Sequence, residues 1–378
     1  MKLLEIKNIY KNFSNKKVLN GINLDIESGE ISSIFGYSGE GKSTLLKIIC
    51  GIIKQDSGDI VLNEKNINNL EPYERCTALV MDEPLLFPHM NVLENIAFGS
   101  KLRTNKKRYT TNNKKALKSP KEIMGLLGIT GLEKRYPNEI SMGQSQRVSL
   151  ARALIVNPEI ILMDEPFSNL DIISKTKVRK LIKEINCELK ISILLVTHDI
   201  EDVINLSNKM FILNKGEIRD SGRPKDVLKK PSSIETAFLI GTENIFDGII
   251  SEIDKKNNIV KIRLKNEKLE DIYIEADYYG TFKINERIVF AIRPEEVMIL
   301  REDRGASRSV RENHFTGKII SSVFTLRMME ILIKSESGLE FKALIPFHAY
   351  EVMHLFEGKT INISLKKSAI HIIEKKKR

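Results

Sequence analysis

The sequence predicts an α/β fold with a parallel-sheet core in residues 1–240 and an all-β domain in residues 241–378. Short apolar runs that end abruptly in polar residues predict the parallel strands: Ile31–Phe35, Ala78–Met81, Ile160–Met163 and Ile193–Val196. Such continuous runs are typical of strands buried on both faces. Stretches with helical character accompany them, at 43–52, 145–156 and 174–189. Beyond Gly241, alternating apolar and polar residues, as in Ile259–Leu264, predict further strands.

The positive charge of the chain is concentrated in two segments. The 378 residues carry a formal net charge of +10. Residues 101–118 contain eight lysines and arginines and no acid, and the tail 374–378 adds a net +3, which leaves the rest of the chain at −1. Because the body is nearly neutral, we expect no nucleic-acid partner. Residues 101–118 form either a solvated loop or a segment that contacts anionic lipid headgroups.

Neither a membrane-spanning helix nor an export signal is expected from the sequence. No stretch approaches about 18 uncharged apolar residues, and Glu5 interrupts the region where a signal peptide needs its apolar run. The three cysteines, Cys50, Cys76 and Cys187, are too widely spaced for a metal cluster and suit a reducing compartment.

A phosphate-binding loop follows the first predicted strand. Residues 36–44 read Gly-Tyr-Ser-Gly-Glu-Gly-Lys-Ser-Thr and match the pattern G-x-x-x-x-G-K-[ST]. The glycines allow successive backbone N–H groups to face phosphate oxygens, and the following helix adds its positive N-terminal end. We expect Lys42 to reach the β- and γ-phosphates and the Ser43 hydroxyl to ligate Mg²⁺.

Polar residues also follow two other predicted strands. Asp164 and Glu165 come directly after Ile160–Met163, and Thr197, His198 and Asp199 come after Ile193–Val196. Because ligands of open parallel sheets bind beyond the carboxyl ends of the strands, these side chains should converge on the phosphate loop. Asp164 is the candidate Mg²⁺ ligand, Glu165 the candidate general base and His198 the candidate partner of the γ-phosphate.

A further segment, Ile140–Val148 (ISMGQSQRV), precedes a helical run that contains Ala151, Arg152 and Leu154. Together with the phosphate loop and the Asp164-Glu165 pair, it resembles the signature of ATP-binding cassette (ABC) ATPases. The resemblance covers about residues 1–240 and implies a P-loop NTPase cassette with a parallel-sheet core and a helical subdomain.

The resemblance also implies roles for single residues. Phe13 matches the aromatic residue that stacks on adenine, Asp171 lies in the loop that contacts a second cassette, and His198 matches the switch histidine. In this family the signature closes on ATP held by a second copy of the cassette. The segment 84–90 resembles the stretch that meets the permease. The predicted nucleotide-binding residues are Phe13, Gly36, Tyr37, Ser38, Gly39, Glu40, Gly41, Lys42, Ser43, Thr44, Asp82, Ser141, Gly143, Gln144 and Asp171; Lys42, Glu165 and His198 are catalytic, and Ser43, Asp82 and Asp164 hold the metal.

The chain departs from the family pattern at two positions. Met142 stands where the signature usually has its first glycine, and Asp82 stands where glutamine is usual. A carboxylate at position 82 is able to ligate Mg²⁺ but adds negative charge near the triphosphate. We therefore expect altered Mg²⁺ dependence or altered coupling, with the ATPase chemistry preserved.

Residues 241–378 contain an internal repeat. The pattern N-x-F-x-G-x-I occurs at Asn244–Ile250 and again from Asn313, and the strand-like segments Ile288–Arg293 and Ile361–Lys366 end the two units. The repeat predicts a pair of small, five-stranded (OB-like) barrels. This region resembles the TOBE or Mop-like regulatory domain of ABC importers. Lys366 and Ser368 match an oxyanion-binding pattern or are an ordinary solvated strand end.

Taken together, the resemblance implies the ATP-hydrolysing subunit of an ABC importer, with ATP and Mg²⁺ as cofactors. Such a subunit works as a homodimer on the cytoplasmic side of the cell membrane, beneath two permease subunits that receive solute from an extracytoplasmic binding protein. Molybdate or tungstate is the expected cargo; iron(III), sulfate, sugars and polyamines are alternatives. A non-transport ATPase and an oxyanion-sensing regulator are the alternatives from other classes.

Overall fold

The fold is taken from a computed structural model that describes residues 1–14, 16–101, 119–265, 270–279, 282–301, 312–325 and 328–375. These residues form two compact units, Met1–Val227 and Leu228–Arg378. Most of the basic segment 101–118 and the end of the basic tail lie outside the described residues. Within the described part of the chain, no helix has both the length and the apolar character needed to cross a membrane.

The first unit contains an antiparallel sheet that the sequence analysis did not predict. Its strands run in the order β2-β1-β4-β5. Their bounds are β1 Lys2–Phe13, β2 Lys16–Glu27, β4 Ser57–Leu62 and β5 Lys65–Asn66. Register shifts interrupt the β1–β2 pairing, for example between Ile6 and Ile9. Such bulges break the two-residue alternation by which a strand is recognised from sequence.

The second sheet of this unit carries the site. Its six strands run in the order β10-β9-β3-β8-β7-β6 and are parallel except for β10. Their bounds are β3 Ile31–Phe35, β6 Thr77–Val80, β7 Ile160–Asp164, β8 Ser192–Thr197, β9 Lys209–Asn214 and β10 Glu217–Gly222. Every residue of β3, β7 and β8 is buried, as expected for a sheet covered on both faces. The predicted parallel core is therefore confirmed.

Helices cover this sheet and form the predicted helical subdomain. The helices of the first unit are α1 Lys42–Ile49, α2 Val92–Lys101, α3 Pro120–Leu126, α4 Met142–Ile155, α5 Ile172–Leu189 and α6 Ile200–Leu206. Helix α7, Pro224–Lys229, spans the boundary between the units, and the second unit contains α8 Ile234–Leu239 and α9 Phe347–Val352. One hydrophobic cluster joins α2, α3, α4 and α5 to the sheet through residues such as Ile96, Met124, Val148 and Ile182. A second cluster packs α1 between the two sheets through Leu45 and Ile49.

The second unit is a pair of five-stranded antiparallel sheets in mirrored order, β13-β12-β11-β14-β20 and β15-β19-β16-β17-β18. The strands of the first half are β11 Asn244–Asp254, β12 Ile259–Lys265, β13 Asp271–Asp277, β14 Arg287–Ile292 and β15 Val297–Ile299. Those of the second half are β16 His314–Thr325, β17 Met328–Ser335, β18 Glu340–Pro346, β19 Thr360–Leu365 and β20 His371–Lys375. One core, including Phe290 and Phe341, serves both sheets.

The two halves exchange their last strands. After β14 a single helical turn sends β15 to pair with β19, and after β19 a similar turn sends β20 to pair with β14. The paired asparagines of the repeat form matching hydrogen bonds between the two halves. Asn244 accepts from the backbone N of Lys342 and donates to its carbonyl, and Asn313 does the same with Glu275. The repeat seen in the sequence is thus a pseudo-symmetric, interlocked structure.

Candidate nucleotide-binding and hydrolysis site

The phosphate loop connects β3 to α1 at the carboxyl edge of the parallel sheet. Gly36 is buried against β9, where a Cβ atom would lie 2.3 Å from the carbonyl oxygen of Leu213. Gly41 caps α1 with a φ of 99°, a conformation that side chains other than glycine rarely adopt. These two positions require glycine for steric reasons, and they hold the loop close to the start of α1, where N–H groups attract anions.

Lys42 is nearly enclosed, with 5% of the residue exposed. Its Nζ donates to the carbonyl oxygens of Gly36 (2.8 Å) and Tyr37 (2.9 Å) and lies 3.9 Å from Oε1 of Glu165. Burial lowers the pKa of Lys42, while the carboxylates of Glu165, Asp164 and Glu40 oppose the shift. The ammonium group is therefore positioned at the phosphate loop and beside the candidate base.

Ser43 and Asp164 form the candidate metal site. The Ser43 hydroxyl donates to Oδ1 of Asp164 over 2.8 Å, which links the first residues of α1 to the end of β7. Burial raises the pKa of Asp164; the Ser43 bond opposes this, and the charges of Glu165 and Asp82 add to it. A hydroxyl and a carboxylate are hard oxygen donors that fit Mg²⁺, which usually takes its other ligands from water and phosphate. Accordingly, the described residues include no cluster of three or more His, Cys, Asp or Glu suited to a metal.

Glu165 and His198 contact each other at the ends of neighbouring strands. Nδ1 of His198 lies 2.8 Å from Oε2 of Glu165. Glu165 has a φ of 45°, and its backbone N–H donates to the carbonyl oxygen of Val196. A non-glycine residue in the left-handed region stores strain that is common at functional sites. This conformation holds a carboxylate between the Lys42 ammonium and the His198 imidazole.

The remaining predicted residues of the loop and the strand ends surround this centre. Tyr37, Ser38 and Gly39 are exposed, and Thr44 is half-buried in α1. Glu40 accepts a hydrogen bond from the backbone N of Lys215. Asp82 is exposed just after β6. Phe13, at the end of β1, is 43% exposed, and the Lys11 ammonium lies over one face of its ring, 5.2 Å from the centroid.

The signature residues and Asp171 lie at helix N-termini. Ser141 and Gln144 bond each other's backbone N–H groups and so cap α4. Gly143 follows Met142 in the first turn, and Asp171 caps α5 by accepting from the N–H of Ser174. Among the hydrogen bonds and ion pairs of the described residues, none joins these four predicted residues to the phosphate loop of the same chain.

Three side chains that the sequence analysis did not assign hold the loop of residues 81–90. Arg152 donates to the carbonyls of Pro84 and Leu85, and its guanidinium carbon lies 5.5 Å from the centroid of the Phe87 ring. Buried Asn95 bonds the backbone N–H and carbonyl of Phe87. Gln146 donates to the carbonyl of Met81. The signature helix α4 is therefore tied directly to the segment that resembles a permease-contacting loop.

The comparisons with known proteins agree with this geometry. A family model described as ABC transporter matches residues 19–168. The spermidine/putrescine import ATP-binding protein of Clostridioides difficile is 34% identical over 325 residues, 85% of each chain. The corresponding protein of Mesoplasma florum is 32% identical over 375 residues, 99% of this chain and 98% of that one. The molybdate/tungstate import ATP-binding protein of Pyrococcus horikoshii is 34% identical over 370 residues, 98% of this chain and 99% of that one.

Two solved structures extend the agreement to the fold. The ADP conformation of an ATP-binding cassette of an ABC transporter has a TM-score of 0.55 and 28% identity, and it covers 63% of this chain and 99% of that one. A dimeric, post-hydrolysis cassette bound to ADP and Pi has a TM-score of 0.50 and 28% identity, and it covers 59% of this chain and 99% of that one. The chain therefore belongs to the ABC transporter family, as one of its ATP-hydrolysing, ATP-binding proteins.

Proposed function

We propose that this protein is the ATPase subunit of an ABC importer and that the cluster of Lys42, Ser43, Asp164, Glu165 and His198 hydrolyses ATP. The observation that carries the proposal is the placement of Glu165, 3.9 Å from the Lys42 ammonium and 2.8 Å from the His198 ring. A base needs this arrangement, because it must lie beside the phosphate that is attacked and must be oriented by a neighbour.

The residues divide the work by their chemistry. Lys42 and the backbone N–H groups of the phosphate loop bind the phosphates and stabilise charge that develops on them. Glu165 accepts a proton from the attacking water, and His198 orients that carboxylate and faces the γ-phosphate. Ser43 and Asp164, with Asp82 nearby, would hold Mg²⁺. When bound, this ion would neutralise negative charge on the phosphates. Phe13 stacks on the adenine ring.

We further propose that the active form is a homodimer in which the α4 N-terminus of one copy, with Ser141 and Gly143, completes the site of the other. A helix N-terminus with free N–H groups binds anions, and Asp171 at the start of α5 lies in the loop that meets the second copy. The dimeric ADP- and Pi-bound cassette supports this assembly by similarity.

Dimer formation is tested with Glu165→Gln, which removes the base but keeps the size of the side chain. We expect this variant to elute as a dimer in Mg²⁺ and ATP, with hydrolysis reduced at least about 100-fold. Glu184→Gln, on the exposed face of α5, is the matched control and should behave like the parent. A Glu165→Gln protein that stays monomeric in Mg²⁺ and ATP would contradict the dimer, and one that hydrolyses ATP normally would contradict the role of Glu165.

For the cargo, we propose a polyamine of the spermidine/putrescine class, with molybdate or tungstate as the second candidate. The relatives from Clostridioides difficile and Mesoplasma florum support the polyamine. The relative from Pyrococcus horikoshii, matched over nearly its full length, supports the oxyanion. The two residues that suggested a bound oxyanion, Lys366 and Ser368, are both exposed at the turn before β20, which favours their interpretation as a solvated strand end.

Uptake by whole cells separates the two candidates. Cells that lack this chain are complemented with the parent or with Glu165→Gln, and the uptake of labelled putrescine, spermidine, molybdate and tungstate is measured. We expect only polyamine uptake to depend on the parent. Dependence of molybdate uptake would favour the second candidate, and normal uptake of all four would leave a non-transport ATPase or a regulator.

In this proposal the protein lies against the inner face of the membrane. The loop of residues 81–90 contacts a permease subunit, a separate binding protein delivers the solute, and the β-rich residues 241–378 form a TOBE-like regulatory domain. Co-purification with a polytopic membrane protein, lost on substitution of the exposed Leu85 by Asp, would test the contact.

A further inference from the structure

An arginine of α5, Arg179, contacts the acidic residues that follow His198. Arg179 is almost enclosed, with 13% of its side chain exposed, and it faces the start of α6. Its Nε donates to Oδ1 of Asp202 over 2.7 Å, and its two Nη atoms lie 3.3 Å from carboxylate oxygens of Asp199 and Glu201. The guanidinium carbon also lies 5.9 Å from the ring centroid of Phe167, in the segment just after Glu165.

Two of the acids that Arg179 contacts, Asp199 and Asp202, are linked through Thr197. Thr197 and Asp199 are the residues on either side of His198. The Thr197 hydroxyl donates to Oδ2 of Asp202 over 2.8 Å and accepts from the backbone N–H of Asp199 over 3.0 Å. Asp202 is 2% exposed. The backbone on each side of His198 is therefore fixed by one buried network, whereas the His198 side chain itself is 58% exposed and contacts Glu165.

Arg179 balances the negative charge of the three carboxylates that it contacts. Burial raises the pKa of Asp202, while the bonds from Thr197 and Arg179 lower it. Burial acts to lower the pKa of Arg179, but its carboxylate partners outweigh burial and raise it overall. Lys175, 3.8 Å from Asp199, is the other cation of this group. Removing the guanidinium would leave the buried Asp202 carboxylate without its cationic partner.

We propose that Arg179 is a positioning residue for hydrolysis: it fixes the backbone around His198 so that the imidazole holds Glu165 in its catalytic orientation. The inference rests on the proposed roles of His198 and Glu165. In the part of the chain that the structure describes, Arg179 contacts Asp199, Glu201, Asp202 and Phe167 and none of the predicted ATP-binding residues, so its loss should lower kcat and leave the KM for ATP unchanged. Displacing a catalytic group by about 1 Å is enough to lower the rate about 100-fold.

The test compares Arg179→Met, Arg179→Lys and Thr197→Val in the full-length protein. Methionine keeps the length of the side chain and removes the charge, lysine keeps the charge and loses the planar fork, and valine removes the hydroxyl that joins Asp202 to Asp199. Lys180→Met, on the exposed face of the same helix, is the control. The readouts are kcat, KM for ATP and the melting temperature, with His198→Ala measured in parallel.

We expect Arg179→Met and Thr197→Val to lower kcat at least about tenfold with KM changed less than about twofold, and Arg179→Lys to restore part of kcat. If Arg179→Met does not fold, Thr197→Val and Arg179→Lys still decide the matter. Parental kcat in folded variants, or kcat and KM that worsen together with the melting temperature, would overturn the inference. If His198→Ala keeps parental kcat, it is the proposed role of His198 that fails.

Discussion

Asp164→Asn should stabilise the folded protein while it abolishes Mg²⁺-dependent hydrolysis. Asp164 is 5% exposed, and burial together with the nearby charges of Glu165 and Asp82 raises its pKa, against the opposing bond from Ser43. At neutral pH its ionisation therefore costs free energy of folding. Asparagine removes that charge and keeps an oxygen that accepts from the Ser43 hydroxyl.

Removing one unfavourable charge of this kind typically raises the free energy of unfolding by about 1 kcal/mol. In a unit of 227 residues, Met1–Val227, this corresponds to an increase in melting temperature of about 2–4 °C. Thermal unfolding in EDTA at neutral pH measures it. Asp164→Ala is the matched control, because it removes the charge and also the acceptor for Ser43, and it should gain less than Asp164→Asn.

The pH dependence of this difference has a definite sign. The folded state binds the Asp164 proton more tightly than the unfolded chain does, so the cost of ionisation is present above the folded pKa and disappears as the pH falls below it. The advantage of Asp164→Asn should thus shrink as the solution is acidified from neutral pH. A melting temperature equal to or below that of the parent at neutral pH, or an advantage that grows with acid, would refute the reasoning.

Three other substitutions have clear expected outcomes. Asp82→Gln should raise the Mg²⁺ concentration for half-maximal ATPase activity by a few-fold, because one carboxylate near the metal is lost; a titration identical to that of the parent would exclude a role for Asp82. Arg75→Met should destabilise the first unit by about 3 kcal/mol or more in chemical denaturation, because buried Arg75 donates to the carbonyls of Ile48, Ile49, Leu70 and Asn68. Asn313→Ala should cost about 2–3 kcal/mol in thermal unfolding of the second unit and leave kcat unchanged, because three side-chain hydrogen bonds to the backbone are lost. An unchanged midpoint in either stability measurement would contradict the corresponding assignment.

The parts of the site that are contiguous in sequence were predictable. The glycines at fixed spacing before Lys42 and the two acids directly after a buried strand are motifs of residues that are neighbours in the sequence. Such motifs are recognised without knowledge of the distant residues that they contact. The predicted strands β3, β6, β7 and β8 agree with the structure within a residue or two. The repeat beginning at Asn244 and Asn313 was predictable because each half forms the same arrangement of strands.

Features that depend on distant partners were not predictable. Arg179 and Asp202 are 23 residues apart and leave no spacing signal, although their bond is among the shortest of the described side-chain ion pairs. The exchange of β15 and β20 between the two β-sheets likewise depends on pairing with strands that are distant in the sequence. The antiparallel sheet was missed because bulges disturb the alternation of β1 and β2.

The order of strands explains why residues that are distant in the sequence meet at the site. β3, β8 and β7 are neighbours in one parallel sheet, so the residues that follow them, Lys42, His198 and Glu165, reach the same edge. The Glu165 N–H donates to the carbonyl oxygen of Val196 in the adjacent strand, so the pairing of β7 with β8 continues into Glu165, which has a left-handed φ. The backbone position of Glu165 is thus an extension of sheet pairing and should survive any substitution that leaves this pairing intact, whereas the orientation of its carboxylate should also depend on His198.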